Sequence, residues 1–223
     1  MHGAGGIIKK MSTRRQGFPR SRPEKSRETA ELNFRDFSVP IRQIFWGNLL
    51  LIVCCAFYLA WWLLAFKPAG AVKGMKTGWL LIPATAAGAA SVLLAVQGIR
   101  SAPARASLFP NGLLLWGGIA AYFVLLAITR LLLKRPVTTE LFLIVGWAAL
   151  ALSEVDALYG AGVFPRAPAV AFAAVVAAAA AVSLVCYVLY YRLDSRAGYF
   201  DGMVPLLTVA LVMGAISVAM AAI

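Results

Sequence analysis

The sequence predicts an all-α, polytopic membrane protein in which six transmembrane helices form one bundle with short loops. Of the 223 residues, 61% are hydrophobic and only 13% are charged, which is too little polar surface for a soluble domain of this size. Long apolar runs with almost no charge fill most of the chain, and each reaches the roughly 20 residues that a helix needs to cross the hydrocarbon core. The runs are 43–66, 77–99, 110–133, 137–160, 167–191 and 202–223.

The first two runs carry small residues suited to close helix packing. The run 43–66 has tryptophans near both ends, as expected of the two interfacial aromatic belts. Between them, Ala56 and Ala60 lie four residues apart and so share a face of the helix. In the run 77–99, small residues around Gly88 cover every face, which predicts a central and tightly packed helix.

The third and fourth runs predict a tight antiparallel hairpin, because only a few residues around Pro136 separate them. The third run opens with the turn signal 110–112. It contains Gly117 and Gly118, which are further candidates for helix contacts. The fourth run is the only one with several acidic residues.

The last two runs differ in character. The run 167–191 holds an alanine stretch at 177–181, which predicts close packing, followed by tyrosines such as Tyr187 that suit a membrane interface. The run 202–223 follows Asp201 and is apolar to its end. Together the six runs form one transmembrane domain, 43–223.

The remaining residues, 1–42, form a basic N-terminal tail that carries about half of the lysines and arginines. We expect the whole tail to be disordered, which the segment 11–22, rich in Arg, Ser and Pro, supports. We expect this tail to bind anionic lipid. Nucleic acid is not an expected partner, because the tail has no interleaved aromatic residues and no recognisable module.

The distribution of charge bears on orientation and location. The first run begins too late and is too long for a cleavable signal peptide, so it should act as an uncleaved insertion signal. Lysines and arginines favour a cytoplasmic N-terminus when the tail is counted and the reverse orientation when it is not. We expect a multi-pass protein of the plasma membrane with a cytoplasmic N-terminus, because moving a polycationic tail outward opposes the membrane potential.

A candidate substrate or ion pathway runs along the fourth helix. Glu140, Trp147 and Glu154 are spaced by seven residues, so they drift by only about 20° per step and share one face. The two carboxylates would lie about 21 Å apart along the axis, which excludes a paired catalytic site on this helix alone. Ionisable residues in a membrane helix are functional candidates, and we add Asp156 and Tyr187 to this hypothetical pathway.

Structural explanations for the same acids remain open. Glu140 lies in the first turn of the predicted helix, where a carboxylate is favoured by the helix dipole, and Asp201 has the same explanation. Glu154 and Asp156 could instead pair with Arg166 across a short loop.

Enzyme motifs are absent from the sequence. His2 is the sole histidine and lies in the tail, which excludes histidine-based catalysis or metal ligation within the membrane. Cys54, Cys55 and Cys186 lie inside apolar runs and have the character of small core residues. No catalytic residue, cofactor or metal ligand is therefore predicted.

In outline (six helices, short loops and a first helix rich in small residues) the chain is similar to the substrate-binding subunits of energy-coupling-factor vitamin transporters. The pair Ala56 and Ala60 resembles the coupling motif in the first helix of those subunits. This resemblance is one of shape alone.

Three functional hypotheses follow. The first is transport, by a small-solute or ion permease or by a substrate-binding subunit, with a cavity among the second, fourth, fifth and sixth helices lined by Trp147, Glu154, Asp156 and Tyr187. The second is a non-catalytic scaffold or partner subunit that packs against another membrane protein or a second copy of itself. The third is a lipid-handling enzyme, for which the sequence offers no catalytic groups.

Overall fold

The computed structural model describes residues 24–66, 77–110, 112–131, 134 and 139–222, and their side chains from residue 39 onward except at 77 and 191. The described secondary structure is helical and contains no strand, which confirms the all-α prediction. Six helical segments among these residues are long and apolar enough to cross a membrane, so the six-helix membrane bundle is confirmed as well. The segments are Val39–Ala65, Gly78–Ser101, Leu113–Leu131, Thr139–Gly160, Arg166–Leu189 and Ser195–Ala221.

These segments are built from seven α-helices and two short 3₁₀ turns. One turn, Thr77–Leu80, precedes α2, and the other, Tyr190–Arg192, follows α5. The α-helices are α1 (Glu24–Ala65), α2 (Leu81–Ser101), α3 (Leu113–Leu131), α4 (Thr139–Gly160), α5 (Arg166–Leu189), α6 (Ser195–Asp201) and α7 (Val204–Ala221).

Helix α1 begins well before the first apolar run. It starts at Glu24, so residues 24–42 of the predicted tail are helical. The sequence from 24 to 39 contains neither glycine nor proline, and it includes three glutamates and two arginines, which are good helix formers. The tail was expected to be disordered over 1–42, and its part from 24 to 42 is this helix, whereas 1–23, including the segment 11–22, lie outside the described residues. The chain separates into the units Met1–Phe34 and Arg35–Ile223, and all six membrane segments belong to the second.

Helix α4 lies at the centre of the membrane unit, because it contacts α2, α3 and α5. Its buried residues include Leu141, Trp147 and Leu158. Helix α5 also packs against α7. The small residues of α2 suggested that α2 would be central, but its buried residues lie on one face. The large buried side chains of α4 fill the middle of the bundle instead.

The span of α1 packs closely against α2 where glycines remove side-chain bulk. A Cβ atom at Gly47 would lie 3.1 Å from the backbone nitrogen of Ala95, and one at Gly98 would lie 2.6 Å from Cγ1 of Ile44. At Gly98 the Pro40 carbonyl oxygen would also lie only 2.9 Å from a Cβ atom, so glycine is required there, whereas at Gly47 the contact would be tight.

The sixth membrane segment is interrupted. Asp194 caps α6 by accepting a hydrogen bond from the Ala197 backbone nitrogen at 3.1 Å. Helix α6 ends at Asp201, and α7 begins at Val204 with Pro205 in its first turn. A proline in the first turn starts a helix well but cannot continue the one before it, so the break falls at this point.

Candidate functional site

A cavity of about 270 Å³ lies among α1, α4, α5 and the α6–α7 break. Its lining residues come from the end of α1, the start of α4, the end of α5 and the start of α7. In an antiparallel bundle these ends share one side of the membrane, which we call the far side because it is opposite the start of the α1 span at Val39. The lining residues are Leu51, Cys54, Cys55, Tyr58, Trp62, Glu140, Leu143, Ile144, Trp147, Ser183, Cys186, Tyr187, Tyr190, Asp201, Gly202, Pro205, Leu206 and Val209.

Five aromatic side chains form much of the cavity wall: Tyr58, Trp62, Trp147, Tyr187 and Tyr190. Trp62 is held in place because its indole nitrogen donates a hydrogen bond to the Tyr199 carbonyl at 3.1 Å. Its ring lies over Gly202, where any Cβ atom would overlap it. The Tyr190 ring stands 6.0 Å from the Trp62 ring, centroid to centroid.

Two carboxyl groups reach the cavity from different elements. Glu140 lies in the first turn of α4, and Asp201 is the last residue of α6. Both face Tyr190: burial raises the pKa of its phenol, and the negative charges of Glu140 and Asp201 raise the pKa further. Asp201 also lies beside the Cys186 thiol, and its Oδ2 atom is buried without a hydrogen-bond partner. The two acids therefore act on a common part of the cavity.

The three cysteines of the chain line this same cavity and are free thiols. Cys54 and Cys55 approach from α1 and Cys186 from α5. Ser183, one turn before Cys186, donates its hydroxyl hydrogen to the Ala179 carbonyl at 2.9 Å. From the sequence these cysteines were expected to be small core residues. Their convergence depends on how α1 and α5 pack, which no sequence spacing shows.

The residues predicted to form a pathway fall into two groups. Glu140, Trp147 and Tyr187 line the cavity, whereas Glu154 and Asp156 do not. The cavity also differs from the expected one in its walls, because α1 contributes in place of α2.

Glu154 lies in the interior toward the other side of the membrane. It is seven residues beyond Trp147 and so about 10 Å further along α4. Glu154 and Asn48 are both 0% exposed, and the Asn48 amide is the polar group that faces the Glu154 carboxyl. The two groups lie side by side, but neither side chain forms a hydrogen bond of good geometry, and the indole nitrogen of Trp147 has no such bond either.

Asp156 anchors a loop. Its carboxylate accepts hydrogen bonds from the Ser107 hydroxyl at 3.0 and 2.9 Å and from the Leu108 backbone nitrogen at 2.6 Å. Nearby, the Arg105 backbone nitrogen donates to the Gly160 carbonyl at 3.1 Å. These contacts tie the connection between α2 and α3 to the end of α4, in place of the ion pair with Arg166 that the sequence left open.

The residues suggested for helix packing have different surroundings. A Cβ atom at Gly88 would lie 3.1 Å from the Cys54 sulfur, and one at Gly118 would lie 3.3 Å from Cβ of Ala149, so both glycines stand at helix contacts. At Gly117 the only atom within 4 Å would be Cδ1 of Leu113, in the same helix. Ala56 is exposed and Ala60 is half-buried.

Comparisons with known proteins leave the site to be interpreted from its own geometry. No protein-family model, no curated protein and no solved structure matches the chain. Within the described residues, no three side chains of His, Cys, Asp or Glu come together as metal ligands would.

Proposed function

We propose that this multi-pass membrane protein has a transport-related function, as a small-solute or ion permease or the substrate-binding subunit of a transporter, and that the solute binds in the cavity. The observation that carries the proposal is the cavity itself, with its aromatic wall and two carboxyl groups inside a helical membrane bundle. The pathway residues Glu140, Trp147 and Tyr187 belong to it.

The size and position of the cavity support this function. Its volume of about 270 Å³ is just below the range of roughly 300–1,000 Å³ found for small-molecule pockets, which suits a small solute. It extends from the far side down to Trp147, about 12 Å along α4 from its first residue. Transporter sites commonly lie near the membrane midplane.

The interrupted sixth segment is a second supporting feature. Asp201 and Gly202, at the break between α6 and α7, both line the cavity. Transporters commonly build their sites from discontinuous membrane helices. Here the Gly202 and Met203 backbone nitrogens still donate to the Gly198 and Phe200 carbonyls, so the break presents a side chain and not free backbone. In this chain the break brings a carboxyl group to the cavity wall.

A scaffold or partner subunit is the second candidate function. The exposed position of Ala56, with Ala60 one turn away, leaves a small-residue patch on α1 where another membrane protein or a second copy could approach. In that case the basic tail would add binding to anionic lipid, and the cavity would need no access to water.

Water access to the cavity separates the two candidates. In a background with Cys54, Cys55 and Cys186 changed to alanine, Leu206→Cys places a thiol on the lining, whereas Leu207→Cys places one on the exposed surface of the same helix at nearly the same depth. We expect a membrane-impermeant methanethiosulfonate, applied to the far side, to modify Cys at 206 at least about tenfold faster, because thiols react as thiolates in water. Equal or undetectable modification of both positions would reject the solute-binding proposal and favour the scaffold.

A further inference from the structure

We propose that the cavity recognises a small organic cation, a protonated or quaternary amine with an apolar body. This inference rests on the proposed function, because it names the substrate class of the same site. It is carried by the charges of the lining, the aromatic side chains and the scarcity of oxygen ligands.

Among the residues that line the cavity, the charged ones are acidic. The lining contains the acids Glu140 and Asp201, and none of its described residues is a lysine or arginine. The two carboxyl groups come from α4 and α6 and both act on Tyr190, so they attract a ligand to one region. Attraction between charges strengthens in a site of low dielectric constant. This applies most to Asp201, whose Oδ2 atom is buried among mostly apolar residues, because Glu140 is exposed at the start of α4.

Aromatic faces give such a cation a second means of recognition. Ammonium groups bind over the faces of Trp and Tyr within about 6 Å of the ring centre, and cages of this kind select quaternary amines. Tyr190 stands beside the acids, and Trp147, nine-tenths buried, lines the deeper part. The Trp62 ring completes the wall beside Tyr190, but it is itself stacked on Phe66 at 4.4 Å between centroids. An apolar substituent on the amine would contact Leu143 and Val209.

The same lining disfavours a bare metal ion. Calcium takes six to eight oxygen ligands, and magnesium requires a near-octahedral set. The described lining offers two carboxyl groups among predominantly apolar and aromatic side chains. An organic cation keeps its bonds to carbon and needs no such shell, so it fits this chemistry better.

The Leu206→Cys reporter described above tests the substrate class. Its rate of modification by a cationic reagent, trimethylammonioethyl methanethiosulfonate, is compared with the rate for the anionic sulfonatoethyl analogue. Protection is then measured with three probes of similar shape: phenyltrimethylammonium, neutral tert-butylbenzene and anionic benzenesulfonate. We expect the cationic reagent to react roughly tenfold faster, relative to its rate with a free thiol, and phenyltrimethylammonium to protect best.

Two variants of lining residues and one control, each lacking one negative charge, test whether Glu140 and Asp201 cause the preference for the cationic reagent. Glu140→Gln and Asp201→Asn should each lower the preference for the cationic reagent by about threefold or more. Asp194→Asn is the matched control, because it removes a charge on the far side outside the lining, and asparagine still caps α6. Size-exclusion profiles and thermal midpoints verify that each variant is folded. If one of the two lining variants does not fold, the other is sufficient for the test.

The outcomes separate this inference from the function on which it rests. If neither reagent reaches Cys at 206 faster than Cys at 207, the solute-binding function fails and the inference fails with it. If the reagents reach the thiol but the neutral or anionic probe protects as well as the cation, the cavity binds solutes and the organic-cation assignment is wrong. An unchanged preference in both lining variants would overturn the roles of the two acids.

Discussion

Asn48, Trp147 and Glu154 each bury a polar side-chain atom for which the structure provides no hydrogen-bond partner. An unsatisfied buried group of this kind costs about 1–3 kcal/mol. Proteins retain few of them, and such conflicts concentrate at functional sites. The three residues follow one another inward from the cavity, on α4 and the neighbouring part of α1.

Replacing Glu154 with an apolar residue of similar length should therefore stabilise the protein. Glu154→Met removes the carboxyl group while filling the same space, and we expect a gain of about 1–3 kcal/mol, seen as a higher thermal midpoint in detergent micelles. Glu140→Met is the control, because it removes an exposed first-turn carboxylate and should cost up to about 1 kcal/mol. A lower midpoint for Glu154→Met would mean that the carboxyl group has a stabilising partner.

For single residues, the sequence indicated which side chains share a helix face but not which residues of other segments they contact. The seven-residue spacing follows from helical geometry, so it could place Glu140, Trp147 and Glu154 on one face of α4. The spacing does not show where that face meets a cavity, which ends between Trp147 and Glu154. Asp156 accepts hydrogen bonds from the Ser107 hydroxyl and the Leu108 backbone nitrogen, which lie between α2 and α3. This contact depends on how that connection folds back against α4.

At the scale of helices, the apolar runs were easy to predict because lipid imposes one length and one composition on every crossing. The observed helices differ from the predicted runs at two places. Helix α1 extends back to Glu24, and the sixth crossing begins with the separate helix α6. The closest helix contacts escaped prediction, since a glycine in a run does not reveal which helix it faces.

Gly98 makes the sharpest test of the α1–α2 contact. A Cβ atom there would lie 2.6 Å from Cγ1 of Ile44 and 2.9 Å from the Pro40 carbonyl oxygen. Gly98→Ala should therefore lower stability by about 1–3 kcal/mol through overpacking, measured as a lower thermal midpoint. At Gly146 a Cβ atom would meet nothing within 4 Å, so Gly146→Ala should be neutral or stabilise by up to about 1 kcal/mol. Equal midpoints for the two variants would contradict this packing.

At the scale of the whole molecule, six crossings place both ends of the membrane unit on one side and the cavity toward the other. Composition was sufficient for the number of crossings. A cavity was expected from the sequence, but its walls could not be predicted in full, because they depend on where four segments leave space between them: α1 takes the place of α2, and Glu154 and Asp156 lie outside the lining. Its walls join residues more than 140 positions apart, such as Tyr58 and Asp201.

Orientation decides which compartment the cavity faces, and we expect a cytoplasmic N-terminus. Each positive charge of the tail moved outward against about 100 mV costs about 2.3 kcal/mol, which outweighs the basic loops on the far side. In the cysteine-free background, a bulky impermeant maleimide should label Ser195→Cys in intact cells and Ala104→Cys only after permeabilisation. Both positions are exposed, at the start of α6 and between α2 and α3. The opposite labelling pattern would place the tail outside and open the cavity to the cytoplasm, so the same experiment fixes the direction from which a solute reaches Asp201.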